Sequence, residues 1–267
     1  ADYICSAIEN GASCIICSPD ITVGMDDVDV IHTEDTRKYL EDILEREYGS
    51  IISEMTLMGV TGTNGKTTTC YLLSQALNAL GIPCAYIGTV GFYLGDEKHD
   101  LPNTSVDICD LYELLLEAHG KGFRHVALEA SSQGLDMGRL NTIRFDAAAF
   151  TNLTEDHLDY HGTMERYAMA KALLFEKLKE NGSAVVNSDD PYCHCFISPE
   201  RRTVTFGFGD ADLRIIDFHT EPETGTDLDY EYAGHIYRIH TMLAGRHNMY
   251  TLMTCAAVLT AIGISPE

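Results

Sequence analysis

The sequence predicts an α/β fold: a mostly parallel sheet flanked by helices, a small antiparallel sheet, and part of a small α/β N-terminal domain in front. Three observations predict it. Strand-like and helix-like segments alternate from "MTLMGV" to "AVVNSDD", a glycine-rich turn joins the first of those strands to a helix, and the texture changes near Arg202 to short strands.

In chain order, "ICSAIENG" reads as the end of a helix closed by Gly11, and a short buried strand follows from Ser13 to Cys17. "DTRKYLEDILEREYG" is an amphipathic helix with Leu40, Ile43, Leu44 and Tyr48 on its apolar face and Gly49 as its stop. A domain boundary near Gly49 to Ser53 divides a partial N-terminal domain (1–50) from a central domain (51–267). After the glycine loop comes a helix with Leu73, Leu77 and Leu80 on one face before Gly81 and Pro83. "CAYIG", "HVALEA", "DAAAFTN" and "AVVNSDD" read as strands, whereas "VDICDLYELLLEAHGKG" and "MERYAMAKALLFEKLKENG" read as helices. "RTVTFGF", "LRIIDF" and "HIYRIH" read as appended antiparallel strands, and "NMYTLMTCAAVLTAIG" as the last helix.

Composition limits the functions available. The 267 residues, nearly half hydrophobic, suffice for a large core and more than one domain. A formal charge of −23 argues against a nucleic-acid surface or an anionic-membrane binder, though a few local cations can still hold a phosphate in a cleft. Nine cysteines, an odd number scattered through apolar runs, read as reduced thiols in a cytoplasmic protein. No stretch is long and apolar enough for membrane insertion. The chain begins inside an element and without methionine, which suggests a fragment.

The chemistry centres on "GVTGTNGKTTT", Gly59 to Thr69. A strand running through a glycine loop into a helix aims backbone N–H groups and the positive helix end at an anion. Gly62 and Gly65 permit close backbone approach, Thr63 and Asn64 complete the turn, and Lys66 supplies charge. Thr67 is a hydroxyl able to ligate magnesium, and Thr68 follows it into the helix. ATP binding is the reading, although Val60 stands where the common form of this P-loop has its first glycine.

"GVTGTNGKTT" resembles the phosphate loop of the Mur ligase family, which forms amide bonds at the expense of ATP. "NTS" (Asn103 to Ser105), "LEASSQGL", "FTNLTEDHLDYHGTMERYAMAKALLF", "VNSDD" and "AGRHNMYTLMTCAAV" match that family in order and spacing. The resemblance covers nearly the whole chain and is weaker before Gly49. It implies addition of the third residue, meso-diaminopimelate or L-lysine, to UDP-N-acetylmuramoyl-L-alanyl-D-glutamate through an acyl phosphate, in peptidoglycan synthesis. It also implies that the N-terminal part belongs to a UDP-sugar substrate domain and that a C-terminal ligase domain is absent. The competing readings are a folylpolyglutamate synthetase-like ligase and a non-catalytic nucleotide-binding module. The "NTS" and "EASSQGL" context favours the muramyl substrate.

The resemblance also assigns roles. Glu129, at the carboxyl end of "HVALE" where open α/β sheets place ligands, is implied as a magnesium ligand, as is His157 in "TEDHLDYHG". His161, four residues on, carries no such role and is expected to be exposed. Lys171 is implied to react with carbon dioxide and bridge to magnesium as a carbamate, whereas the residues alone suggest a lysine extending its charge to water. Asn103, Thr104, Ser105, Ser131 and Arg139 match positions contacting the muramyl-peptide substrate; Met137 departs from the pattern. Asn248 matches an adenine contact and alone would pass for a helix N-cap. Asp189 and Asp190 are expected to shape a strand-end turn, and Cys193, His194 and Cys195 supply no tetrahedral zinc set.

Overall fold

The structure, a computed structural model, describes residues 3–24, 28–101, 104–221 and 223–266. The chain divides into two compact units, Ala1–Ser50 and Ile51–Glu267. In the first, α1 (Ile4–Glu9) ends before Gly11, whose φ of +95° suits only a residue without a side chain. β1 (Cys14–Cys17) pairs in parallel with β2 (Asp29–His32), Cys14 opposite Asp29 and Cys17 opposite His32. The following helix, α2 (Thr36–Ser53), does not stop at Gly49. Glycine weakens a helix without ending it unless the backbone turns left-handed, and Gly49 has no such φ.

The second unit is built on one sheet of eleven strands. Its order is β13 (His235–Thr241), β12 (Gly225–Tyr232), β11 (Leu213–Glu221), β10 (Thr203–Gly207), β9 (Leu178–Asn187), β8 (Phe145–Phe150), β3 (Thr56–Thr61), β7 (His125–Glu129), β4 (Cys84–Gly88), β5 (Gly91–Leu94), β6 (Glu97–His99). From β4 to β10 every pairing is parallel, and the edges β5–β6 and β12–β13 are antiparallel additions. The predicted mostly parallel α/β architecture is therefore present, with two corrections. "RTVTFG" pairs in parallel with β9 and belongs to the main body, and the antiparallel ribbon begins only beyond β11. The helix expected through "EKLKENG" ends at Glu176, because Leu178 already pairs with Phe145 as the start of β9.

Helices α3 (Lys66–Ala79) and α8 (Arg246–Ala261) pack on one face, where Leu73, Leu77, Met249 and Met253 meet Met58 and Val60 of β3. Leu80 caps α3 and stays 61% exposed, outside the face that the spacing assigned it to. Strand alternation turns Gly59 to the opposite face. There a Cβ would lie 2.8 Å from Leu174 of α7 (Met164–Glu176), so glycine lets that helix approach the central strand. The remaining helices are α4 (Ile108–Gly120), α5 (Ser132–Asp136) and α6 (Leu158–His161). The chain leaves β3 for β4 and returns to β7 and β8 on either side of it. β3 is thus the topological switch point, and its carboxyl end is where an open α/β sheet presents a crevice.

Candidate active site

The glycine loop lies at that end. Gly62 has φ +146°, and a Cβ there would fall 2.0 Å from Thr151 Oγ1; Gly65, at φ +86°, is the residue before α3. The segment after β8 holds the loop. Thr63 N donates to Asn152 O (2.8 Å), Asn64 N to Asn152 Oδ1 (3.0 Å), and Thr151 Oγ1 to Asn64 O (2.6 Å). Sequence reasoning missed Thr151 and Asn152, although "FTN" at a strand end offers side-chain partners for a neighbouring loop. Lys66, the first residue of α3, folds back and donates to Gly62 O and Thr63 O, both at 2.9 Å. Burial lowers its pKa, with Glu129 pulling the other way. Thr68 is exposed.

Glu129 is fully buried. Its Oε2 accepts from Thr67 Oγ1 (2.8 Å) and Thr89 Oγ1 (3.1 Å), and its Oε1 from Thr89 N (2.9 Å) and the Tyr86 hydroxyl. Four donors on one buried carboxylate satisfy it where desolvation would otherwise disfavour a charge. Burial and the bond to Glu129 raise the Tyr86 phenol above its ordinary range.

Lys171 is 1% exposed and does not extend to water. Its Nζ donates to Gly62 O at 2.9 Å, the same carbonyl that takes Lys66, and lies 4.3 Å from the centroid of the Tyr167 ring. Burial first, and the Lys66 charge second, push its pKa down to about 6. Tyr167 Oη lies 3.3 Å from Thr63 Oγ1, so one ring touches both the loop and the lysine. His157 adopts a left-handed backbone, φ 51°, uncommon without glycine. Its ring is half-exposed, 3.5 Å from Asp156 Oδ2 and edge-on to Tyr167. His161, expected at the surface, is buried: it stacks on Tyr167 and its Nε2 lies 2.9 Å from Ser132 Oγ. Burial lowers its pKa. Packing against Tyr167 and Ser132 turns it inward, a placement that polarity alone does not reveal.

Of the other assigned residues, Thr104 Oγ1 meets Thr89 Oγ1 (3.0 Å), beside Glu129. Ser105 Oγ meets Ser131 Oγ (2.9 Å), Ser131 caps α5, and Arg139 Nη1 donates to Ser105 O. Arg139 thus spends one donor on the backbone of the segment that carries Ser105. Asn103 lies outside the described residues. Asn248 is not the cap of α8, a place held by Gly245; its Nδ2 donates to Ala244 O (2.8 Å). It sits one turn before Thr251, whose Oγ1 lies 3.5 Å from a Cβ built on Gly65. Asp190 accepts from Leu153 N and Tyr192 N; Asp189 takes Phe208 N, Gly209 N and Tyr250 Oη. In "CHC", His194 Nε2 lies 3.5 Å from Cys195 Sγ.

A strand, a glycine loop and a helix opening on lysine, with a buried carboxylate from the adjacent strand against the loop's threonine, define a phosphate-loop α/β domain. The chain belongs to the Mur ligase family: residues 60–259 match the Mur ligase middle domain. It is 35% identical over 272 residues to a UDP-N-acetylmuramoyl-L-alanyl-D-glutamate–2,6-diaminopimelate ligase of Fusobacterium nucleatum, covering 100% of this chain and 54% of that one. A relative of that name from Lactiplantibacillus plantarum is 36% identical over 275 residues, 100% of this chain and 55% of that one. A UDP-N-acetylmuramyl-tripeptide synthetase 2 of Oceanobacillus iheyensis is 34% identical, covering 96% and 53%. A solved structure of a 2,6-diaminopimelate ligase superposes with a TM-score of 0.82 at 28% identity, covering 99% of this chain and 55% of that one. A MurF ligase from Thermotoga maritima in complex with ADP shares the fold at a TM-score of 0.71 and 24% identity, covering 99% and 57%. The chain spans about half the length of the relatives that it matches.

Proposed function

We propose that this protein is an ATP-dependent amide ligase that joins 2,6-diaminopimelate to UDP-N-acetylmuramoyl-L-alanyl-D-glutamate in peptidoglycan synthesis. The observation that carries this is the meeting, at one loop, of Lys66, Lys171, Thr67 and the buried Glu129. The names of the 35–36% identical relatives support the choice of substrates. In this reading 1–50 is part of the UDP-sugar substrate domain and 51–267 is the ATP-binding domain. The nine cysteines are all free thiols, and no helix among the described residues is long and apolar enough to cross a membrane, which suits a cytoplasmic enzyme.

The chemical problem is to bring a carboxylate against a triphosphate, so catalysis is positioning plus cationic clamps. The substrate carboxylate attacks the γ-phosphorus, ADP leaves, the amine adds to the acyl carbon and loses a proton to solvent, and phosphate departs from the tetrahedral intermediate. Loop amides from Gly62 to Thr67 cradle the phosphates, and the Lys66 ammonium exchanges its two carbonyl acceptors for phosphate oxygens. Asn248 faces the adenine end. Thr104, Ser105, Ser131 and Arg139 line the muramyl-peptide side.

The oxygen donors that meet at the loop fit Mg2+: the Thr67 hydroxyl on the Glu129 carboxylate, and a buried Thr61 hydroxyl without a partner beside Gly62, while His157 would have to turn in from the rim. Mg2+ held there would neutralise phosphate charge. Lys171 suits carbamylation because it shares an acceptor with Lys66 and its lowered pKa leaves the amine neutral. Its nitrogen lone pair adds to the carbon of CO2, one C–O π bond opens, and a proton leaves to solvent. The product is an anion where the neutral amine stood.

The test is phosphate release coupled to mass spectrometry of the product, with UDP-muramyl dipeptide plus diaminopimelate or L-lysine. Tripeptide formed with diaminopimelate supports the reading; phosphate release indifferent to the dipeptide overturns it. Lys171→Ala should lose activity that added acetate or formate partly restores, and full activity without rescue would remove the carbamate.

A further inference from the structure

The hairpin of β4 and β5 does more for Glu129 than wall it in. Tyr86 places a hydroxyl in a fully buried strand, where a phenol needs a partner. It donates to Glu129 Oε1, while the Val90 backbone N–H donates to the phenol oxygen at 3.3 Å. The next amide of that turn, Thr89 N, donates to the same Oε1 at 2.9 Å. Tyr71 and Tyr93 meet the Tyr86 ring edge-on, with centroids 6.0 and 5.7 Å away, and hold its plane. Gly88 leaves the space: a Cβ there would lie 2.2 Å from Glu129 Oε1 and 2.6 Å from Tyr86 Oη. The two carboxylate oxygens therefore differ. Oε1 is engaged by a backbone amide and a ring-locked phenol, whereas Oε2 meets only the hydroxyls of Thr67 and Thr89, which can rotate away.

We infer that Tyr86 is a positioning residue that keeps Glu129 a one-oxygen metal ligand, through Oε2, and so sets a preference for Mg2+ over a larger ion such as Ca2+. The inference rests on the metal–nucleotide reading above. Mg2+ demands near-octahedral geometry with short bonds, while Ca2+ accepts more oxygens and often both of one carboxylate. Freeing Oε1 relaxes that restriction.

The experiment compares dissociation constants of a non-hydrolysable ATP analogue in Mg2+, in Ca2+ and in EDTA, for the wild type and Tyr86→Phe. Outer partners of metal ligands typically change metal affinity about 10–100-fold, so the Mg2+/Ca2+ preference should move roughly tenfold toward Ca2+ in the variant. Affinity in EDTA should stay the same. An unchanged ratio, or an equal loss in EDTA, overturns the inference while leaving the metal–nucleotide reading standing. Wild-type binding indifferent to both ions overturns both. A second measurement does not need the variant to fold. The chain has no tryptophan, so its near-ultraviolet spectrum reports tyrosine. Mg2+ added to the analogue-loaded wild type should perturb a buried tyrosine, and differently from Ca2+. A spectrum untouched by either ion sinks the role given to Tyr86.

Discussion

The floor and the rim of the site are built on different principles. Glu129, Tyr86 and Lys171 come from strands or a packed helix, lie fully buried, and have their polar atoms paired. Asn64, Asp156 and His157 stand on loops, partly or largely exposed, and His157 holds a left-handed backbone. The floor is pre-organised, because desolvated charges persist only where every partner is in place. The rim can readjust around a ligand at little cost to the fold. Substitutions in the floor should therefore change stability and binding together, whereas those at the rim should change binding alone.

The sharpest way to break this contrast is Gly62→Ala. It combines a left-handed backbone with a Cβ 2.0 Å from Thr151 Oγ1. Strain and overpacking together should cost roughly 2–6 kcal/mol, a fall of about 5–20 °C in melting temperature. A melt within a degree or two of the wild type would show that the loop is not part of the rigid floor. Next is Lys66→Ala, which removes a charge-assisted phosphate contact of roughly 1.5–3 kcal/mol, so calorimetry should find ATP affinity about 10–150-fold weaker. Equal affinity would take the loop out of the binding argument.

Lys171 gives a pH signature. Its folded-state pKa of about 6 lies below the ordinary lysine value of 10.5. Between those values the unfolded chain holds one more proton than the folded one, so stability rises with pH; the penalty is complete below the folded value and gone above the unfolded one. In bicarbonate-free buffer, Lys171→Met should be more stable than the wild type near neutrality. Its gain from about pH 7 to about pH 9 should be shallower by up to about 1.4 kcal/mol per pH unit. Parallel urea-denaturation curves for the two proteins would show that the lysine is not desolvated. The smallest effect belongs to the rim. His157→Gly relieves the left-handed backbone, and stability should stay within about 1 kcal/mol of the wild type while metal-dependent nucleotide affinity falls. A large drop in melting temperature would erase the distinction between rim and floor.

Several features follow from the sequence by itself. The phosphate loop is readable because Gly62, Gly65, Lys66 and Thr67 act within one turn of chain, where spacing alone states the geometry. The alternation of "HVALE" and "DAAAF" with helical segments likewise implied the parallel sheet, and Glu129 drew attention by closing a strand. What only the tertiary structure decided involves residues distant in sequence. Tyr86 and Thr89 reach Glu129 from more than one element away, Lys66 and Lys171 share one carbonyl, His161 turns inward onto Tyr167, and β10 joins the parallel body. Each depends on sheet register and on which helix face is covered. A one-residue slip in register sends a side chain to the other face, so local pattern cannot specify those meetings; the packed sheet does.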